Sequence, residues 1–240
     1  MSITTNSMSS QLQIPTIEHK NKNNFQIITE QCLIRPITPE DKENYINLFG
    51  DKEVMRLYAG GAKDANVTAT RVDNWVNRWQ RHNFSAFAIT ARKTGEFLGH
   101  AVIGHGDYEG DINNGWSEYA IALKSEAQNK KVGTEVTEAL VNYAKDLAKR
   151  GEPVPLDVED KYQDEVIQLA EEGKVTIYEK DNNGKYKWVG GKFTVLRVTT
   201  HKENKRAERI FDKIFTEQNR GTRQDSPTDP NRLLYTLQLA

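Results

Sequence analysis

The chain has 240 residues, of which 37% are apolar and 28% charged, and its formal net charge is −1 at pH 7. This length supports a sizeable core in one large domain or two small ones, and the near-zero charge provides no basic field toward nucleic acid or a membrane surface. Cys32 is the only cysteine, which excludes an internal disulfide and a cysteine-rich zinc site.

The beginning of the chain is polar and shows no sustained hydrophobic period. Residues 1–28 are rich in Ser, Thr, Asn, Gln and Lys, and we predict a flexible N-terminal arm there, followed by one domain over residues 29–240. This segment lacks the apolar core of a secretory signal, and no apolar run approaches the ~18 residues that span a bilayer. We therefore expect a cytoplasmic protein with no membrane and no nucleic-acid partner.

The predicted domain opens with a strand and two helices. Residues 31–37 predict a short strand, and Thr38 followed by Pro39 predicts the start of a helix that ends near Phe49. A second helix, starting near residue 68 or 70, places Trp75 and Trp79 on one face. These tryptophans fit a binding cage or, more simply, a helix packed on a sheet. The connection between the helices, residues 58–64, is expected to border a cleft.

Three strands follow, and then a longer helix. Residues 84–90 and 96–104 predict a hairpin, and residues 116–123 predict a third strand in a meander. A helix is predicted over residues 131–149, a strand over 193–199, a helix over 204–216 and a last strand over 233–239. Because a strand, a helix and another strand follow one another, two of the strands should be parallel.

An additional segment interrupts this crossover. Residues 151–191 contain a predicted helix over 160–172 and a hairpin around residues 181–184, which makes a helix-plus-hairpin insertion. Ligands bind at the carboxyl ends of strands in such sheets, whereas this insertion precedes a strand. We therefore predict that it lies away from the ligand-binding end of the sheet and offers a surface for a protein partner or for a homo-oligomer, or forms a lid only if it folds back.

The segment from Ser117 to Glu135 is the most informative in the chain. It places an acid, Glu118, on a strand, and the strand leads through a polar turn into the start of the long helix. A helix start offers free backbone N–H groups to an anion such as phosphate. This pattern suits a phosphorylated cofactor held beside a base. It also fits a solvated or ion-paired Glu118 and surface lysines at residues 130 and 131, and both interpretations stay open.

The order of these elements resembles the GNAT N-acetyltransferase family, and within it the branch of ribosomal-protein alanine acetyltransferases. Four segments carry the resemblance, across residues 31–150 and 193–240 but not the insertion. They are residues 33–41 as first strand and helix, 93–100 as hairpin, 117–135 as acetyl-CoA motif and 201–211 as late helix.

The resemblance implies an α+β (α/β) fold with a central mixed, mostly antiparallel sheet flanked by helices. It also implies acetyl-CoA as cosubstrate and a primary amine, on a small molecule or a protein N-terminus, as acceptor. Glu118 takes the position of a general base that removes a proton from the amine. No metal is expected. The positions implied for cofactor binding are Ile121, Ala122, Leu123, Gln128, Asn129, Lys130, Lys131, Val132, Gly133, Thr134 and Asn204.

Two positions depart from the family pattern. Lys131 stands where the family turn has a glycine, and a left-handed backbone there costs of order 1 kcal/mol for a residue with a side chain. Phe211 stands near the position where many relatives carry a tyrosine that donates a proton, and phenylalanine cannot donate. These departures favour an alternative function, a catalytically impaired GNAT-like binding module.

Overall fold

A mixed β-sheet forms the centre of the molecule in the computed structural model, which describes residues 16–18 and 25–239. The described residues form six α-helices and twelve strands. The helices are α1 (Lys42–Gly50), α2 (Lys52–Met55), α3 (Ala65–Arg81), α4 (Val132–Lys149), α5 (Gln163–Glu171) and α6 (Lys205–Ile214). The strands are β1 (Thr16–Glu18), β2 (Gln26–Ile28), β3 (Cys32–Pro36), β4 (Ala86–Ala91), β5 (Phe97–Ile103), β6 (Gly106–Asp107), β7 (Gly115–Leu123), β8 (Pro153–Asp157), β9 (Thr176–Lys180), β10 (Tyr186–His201), β11 (Gly221–Asp225) and β12 (Arg232–Gln238).

The strand order of the sheet is β1-β2-β3-β4-β5-β7-β10-β12-β11. Neighbours along this path are antiparallel except β7 and β10, which run parallel and are connected through α4. The predicted crossover, the mixed and mostly antiparallel sheet and the flanking helices are therefore confirmed. A parallel pair cannot be closed by a tight turn, which is why the long helix and the insertion lie between these two strands.

The helices cover both faces of the sheet. Tyr119 of β7 points to α4, where its hydroxyl lies 2.9 Å from that of Thr137. Successive side chains of a strand point to opposite faces, so Glu118 and Ala120 face the other side, as does His100 on the neighbouring strand. His100 stacks on Trp75 of α3 with a ring distance of 5.0 Å. Glu118 therefore shares a face with α3, and α4 covers the reverse face.

The two tryptophans of α3 differ in their surroundings. Trp79 is buried and donates from Nε1 to the carbonyl of Ala86 at 2.8 Å, which fits the packing interpretation. Trp75 is partly buried, stacks on His100 and also borders the main cleft described below. The helix begins at Ala65, several residues before the predicted start, because the Asp64 side chain accepts a hydrogen bond from the amide of Asn66 and caps it.

The N-terminal region joins the sheet earlier than the sequence pattern suggested. Residues 1–28 were predicted as an arm, but β2 pairs with β3 within that range and both Phe25 and Ile27 are buried in the core. A three-residue strand bounded by polar residues is too short to show a hydrophobic period. The rest of the predicted arm, residues 1–15 and 19–24, lies outside the described residues.

The insertion contains the predicted helix and hairpin, and it is also continuous with the sheet. β9 pairs with β10 across the turn at residues 181–184, and β10 then runs without a break into the core. The predicted boundary at Gly191 therefore falls inside one sixteen-residue strand. Further strands were missed as well, among them β6 and β8, which pair with each other, and β11, which pairs with β12. β11 is polar and mostly exposed, so it has the composition of a loop.

Candidate functional site

A gap opens between the two parallel strands at the centre of the sheet. β7 and β10 pair from Gly115 opposite Phe193 to Glu118 opposite Arg197, and among the described residues the pairing ends there. Beyond this point β7 pairs only with β5, and β10 only with β12. The last residues of β7 therefore present one unpaired backbone edge to the gap, and such an edge binds an extended polar chain through N–H and C=O groups.

The hydrogen-bond alternation of the sheet determines which groups face this gap. The carbonyl of Glu118 accepts from the amide of Gly104 at 2.7 Å, and the amide of Lys124 donates to the carbonyl of Leu98 at 2.9 Å. Even-numbered residues of β7 thus bond to β5, and the backbone groups of Ile121 and Leu123 point the other way. Ala122 is turned toward β5, so it offers the gap its methyl group rather than its amide.

The turn after β7 has left-handed backbone at two residues that are not glycine, and one of them is Lys131, where the family turn has a glycine. Asn129 and Lys131 have φ angles of 60° and 65°, in the left-handed region. Asparagine tolerates this conformation, whereas lysine pays about 1 kcal/mol or more. Gln128 braces the turn, because its Nε2 donates to the carbonyl of Leu123 at 3.0 Å and its Oε1 accepts from Arg206 of α6 at 2.6 Å.

The turn delivers the chain to the uncapped start of α4. The N-cap residue is Lys131, which forms no side-chain cap, so the amides of Val132, Gly133 and Thr134 keep free hydrogens. The acid of this first turn, Glu135, accepts from the backbone and side chain of Gln31 at 2.7 and 2.9 Å. An eighteen-residue helix therefore keeps the partial positive charge of its first turn available to an anion.

Among the described helices, α2, α3 and α6 have a side-chain cap at this position, whereas α1 and α5, like α4, have none. The side chain of Asp51 accepts from two amides of α2, that of Asp64 from α3 and that of Asn204 from α6. Asn204 was predicted to hold the cofactor, and its Oδ1 is used as this cap at 3.2 Å from the amide of Ala207. Its amide nitrogen has no hydrogen-bond partner among residues 16–18 and 25–239, so that group remains for a ligand.

The gap, the turn and the faces of α3 and α6 enclose one large cavity of about 1130 Å³, which we call the main cleft. Ligand sites span roughly 300–1,000 Å³, so this volume suits a large ligand. Eight lysines and arginines but three glutamates line it, an excess of five positive charges in a chain with a net charge of −1. Charge of one sign in a cleft concentrates ligands of the opposite sign. The basic residues are Arg56, Arg71, Arg78, Lys131, Lys205, Arg206, Arg209 and Arg232.

Glu118 lies in the wall of the main cleft, where β7 separates from β10. Its side chain is exposed to the open cleft and forms no ion pair within the described residues. Desolvation by the surrounding walls raises its pKa, the charge of Arg232 lowers it and that of Asp107 adds to the rise. A carboxylate whose pKa is raised is a stronger base, and the ion-paired interpretation of Glu118 finds no partner here.

Three aromatic or imidazole side chains near Glu118 have different roles. Tyr58 lines the cleft, and desolvation together with the Glu118 charge raises its pKa. Phe211 also lines the cleft, but it is buried and packs against Tyr235 at 5.5 Å. His100 is fully buried, which lowers its pKa to about 3, so its ring is a neutral part of the core.

The cleft brings together most of the predicted positions. Lys130 and Val132 do not line it: the lysine is exposed beside it and the valine packs in the core. The predicted residues that line it are Glu118, Ile121, Ala122, Leu123, Gln128, Asn129, Lys131, Gly133, Thr134 and Asn204.

Most of the basic residues that line the main cleft were not predicted from the sequence. Arg206 and Arg209 recur at helical spacing after Asn204, and Arg71 and Arg78 recur two turns apart on α3. Such spacing could have signalled one basic face. Arg232 follows a turn, and no sequence signal places it here.

Two further observations concern membrane-spanning helices and metal-binding groups. Within residues 16–18 and 25–239, no helix is both long and apolar enough to cross a membrane. Over the same part of the chain, no group of three or more His, Cys, Asp or Glu side chains is arranged to hold a metal ion.

The chain is similar in sequence to one family of domains and in fold to several solved structures. The model of the acetyltransferase (GNAT) domain matches residues 31–214. An acetyltransferase of the GNAT family from Bacillus anthracis superposes with a TM-score of 0.54 at 16% identity, covering 89% of this chain and 98% of that one. A ribosomal alpha-N-protein acetyltransferase in complex with coenzyme A gives 0.54 at 11% identity, covering 87% and 94%.

A third structure, an acetyl transferase from Salmonella typhimurium that modifies the N-terminal serine of a 50S ribosomal subunit protein, gives a TM-score of 0.53 at 10% identity, covering 87% and 95%. No curated protein matches the sequence. The structural likenesses show the shared fold, and the domain model spans well over half of the chain. The chain therefore belongs to the GNAT family and is an acetyltransferase.

Proposed function

We propose that the protein transfers the acetyl group of acetyl-CoA to a primary amine, with Glu118 as general base. The observation that carries this proposal is the junction of an unpaired strand edge with an uncapped helix start. Ile121 offers its N–H and C=O groups and Leu123 its N–H group to an extended chain, and Val132, Gly133 and Thr134 offer amides to phosphate. Pantetheine followed by pyrophosphate has this chemistry in this order.

The residues around the junction fit acetyl-CoA in charge as well as in shape. Lys131, Lys205, Arg206 and Arg209 surround the end of the main cleft where α4 and α6 begin, and they match the phosphates of the cofactor. Gly133 lets α4 and α6 approach each other, because a Cβ there would meet the Ile210 side chain at 2.9 Å. When bound, acetyl-CoA supplies the activated acetyl group.

Glu118 has the position and the basicity that the acceptor requires. The amine must lose a proton as its nitrogen bonds to the acetyl carbon and the carbon–sulfur bond breaks. Glu118 takes that proton, directly or through water, and its raised pKa makes it a better acceptor than an ordinary glutamate. The thiolate that leaves takes a proton in turn. Tyr58 is a phenol in the cleft wall, and the charge of Glu118 contributes to its raised pKa. Phe211 cannot donate a proton.

A binding module that has lost its chemistry is the second candidate. Two observations favour it, the lysine with left-handed backbone at position 131 and the buried phenylalanine at position 211. Under this alternative acetyl-CoA binds but no thiol is released. The exposed Ile167 and Ile177 of the insertion would then serve a partner protein or a second copy.

Two measurements on the purified protein test the proposal. Acetyl-CoA at millimolar concentration should raise the melting temperature by several degrees, and ATP at the same concentration should raise it far less. A panel of primary amines should then give thiol release from acetyl-CoA above the rate without amine. Absence of the thermal shift would contradict the whole proposal. A shift without thiol release for any amine would favour the binding module.

A further inference from the structure

Arg78 lies at the end of the main cleft opposite the cofactor turn, beside the insertion. It lines the main cleft together with Glu118 and His105, and it also lines an adjoining cavity of about 230 Å³. Its guanidinium lies 5.3 Å from the ring centre of Trp188, an insertion residue. Trp188 in turn packs edge-on against His105 at 4.4 Å. The insertion therefore supplies the platform that holds this arginine at the cleft.

No carboxylate neutralises Arg78 within residues 16–18 and 25–239. The acid near it, Glu179, is engaged by Arg81 and by Lys187, the latter at 2.9 Å. The neighbouring His105 adds no positive charge, because burial lowers its pKa to about 4. A guanidinium that is partly buried, stacked on a tryptophan and without an acid is a binding group in need of an anion.

A molecule that carries this anion must reach from Arg78 to Glu118, and this limits its size. The carbonyl of Glu118 accepts from the amide of Gly104, and His105 is the next residue of the link between β5 and β6. Trp188 contacts both His105 and the Arg78 guanidinium, so a chain of contacts connects Glu118 with Arg78 along the wall of the main cleft. Arg71 lines the cleft two helical turns earlier on the same face of α3 and adds a second cation.

We propose that the acceptor is a small primary amine that carries an anionic group, a carboxylate or a phosphate, and that Arg78 on its Trp188 platform binds that group while the amine lies at Glu118. This inference rests on the proposed function. The phosphates of acetyl-CoA account for the four cations near α4 and α6, but they leave the arginines of α3 without a ligand. An anionic acceptor supplies one.

Matched amine pairs test this inference. β-Alanine is compared with its amide, and O-phosphoethanolamine with ethanolamine, by the kcat/KM for thiol release. For the anionic member, Arg78→Met should raise KM by about tenfold or more with little change in kcat, and for the neutral member less than about twofold. Arg78→Lys, which keeps the charge, should lie between. Arg150→Gln, which removes an arginine outside the cleft, should change neither member.

Binding provides a second readout that does not need turnover. With coenzyme A present, the anionic amines should raise the melting temperature of the wild-type protein and of Arg150→Gln but not of Arg78→Met. Retention of the acetyl-CoA shift by Arg78→Met shows that the variant is folded. If Arg78→Met does not fold, Arg78→Lys takes its place, and it must show a smaller shift with the anionic amines than the wild type.

Three results would overturn the inference and leave the proposed function standing. One is equal loss for charged and neutral amines in Arg78→Met, a second is no stabilisation of the wild type by either anionic amine, and a third is preference for an uncharged peptide amide such as trialanine amide. Failure of acetyl-CoA itself to shift the melting temperature would instead remove the proposed function.

Discussion

The two halves of the main cleft are built from different chemistry. Under the proposed function, the cleft divides into a cofactor half and an acceptor half. The cofactor half, formed by residues 121–134 and the start of α6, depends on backbone groups that a strand edge and a helix end leave unpaired. The acceptor half, formed by Glu118, Tyr58 and the arginines of α3 and β12, depends on side chains from four separate segments. A site made of backbone groups is retained when a side chain is replaced, whereas a site made of side chains is lost when one residue is replaced.

This difference explains how the turn accommodates Lys131. The left-handed backbone at that position costs about 1 kcal/mol, but the geometry of the turn is retained. The amides of α4 are still free, and the lysine adds a charge at the cleft wall. The acceptor half has no such tolerance, and its specificity is expected to depend on single residues.

The largest expected effect lies in the acceptor half. Glu118→Gln should lower kcat for thiol release by about 100-fold or more, because general base catalysis of this kind contributes 10²- to 10⁴-fold. The acetyl-CoA thermal shift should be unchanged, since the cofactor half is intact. Equal turnover of Glu118→Gln and wild type would remove Glu118 as the base and would break the division between the halves.

The pH profile tests the same residue without mutation. A general base must be deprotonated to act. Because the pKa of Glu118 is raised, kcat/KM should rise with pH in an acidic limb whose midpoint lies above the pKa of an ordinary glutamate. A raised folded pKa also means that this carboxylate destabilises the fold once it ionises. Glu118→Gln should therefore gain melting temperature relative to the wild type at pH 8 more than at pH 4. A profile without that acidic limb would contradict the assignment.

A smaller effect is expected from a negative charge in the cofactor half. Thr134→Glu adds an acid to the first turn of α4, which should stabilise the helix by about 0.3–1 kcal/mol. The same charge should repel phosphate and weaken acetyl-CoA by about tenfold or more. Thermal melts with and without acetyl-CoA measure both, and Thr134→Gln is the uncharged control. Unchanged affinity in Thr134→Glu would show that the helix start does not bind the cofactor.

The smallest effects should come from the strained turn. Lys131→Gly relieves the left-handed backbone and should stabilise the protein by about 1 kcal/mol, while the loss of one charge should weaken acetyl-CoA only several-fold. Arg220 has the same φ of 65° outside the cleft, so Arg220→Gly should stabilise without altering acetyl-CoA affinity. A loss of affinity of 100-fold in Lys131→Gly would mean that a side chain, not the backbone, dominates this half.

The sequence by itself predicted the secondary-structure elements that form the proposed cofactor half. Its elements are contiguous, and the strand, turn and helix from Ser117 to Glu135 have the polar and apolar spacing of such elements. The helix predicted over residues 131–149 is observed as Val132–Lys149, and the parallel crossover followed from the order of elements. Local hydrogen bonding and hydrophobic period determine these features, and both can be recognised in a single segment.

Only the tertiary structure decided the acceptor half. Arg78 and Trp188 are far apart in sequence, and they meet beside the cleft that Glu118 lines because β10 continues from the insertion into the core beside β7. Local period cannot predict contacts of this range. The end of the pairing at Arg197, which opens the gap, likewise depends on how two strands diverge in space. The sequence therefore determined the strand, turn and helix start of the proposed anion site, and the tertiary structure decided which charges surround the proposed acceptor site, because those charges come from segments that only the folded sheet brings together.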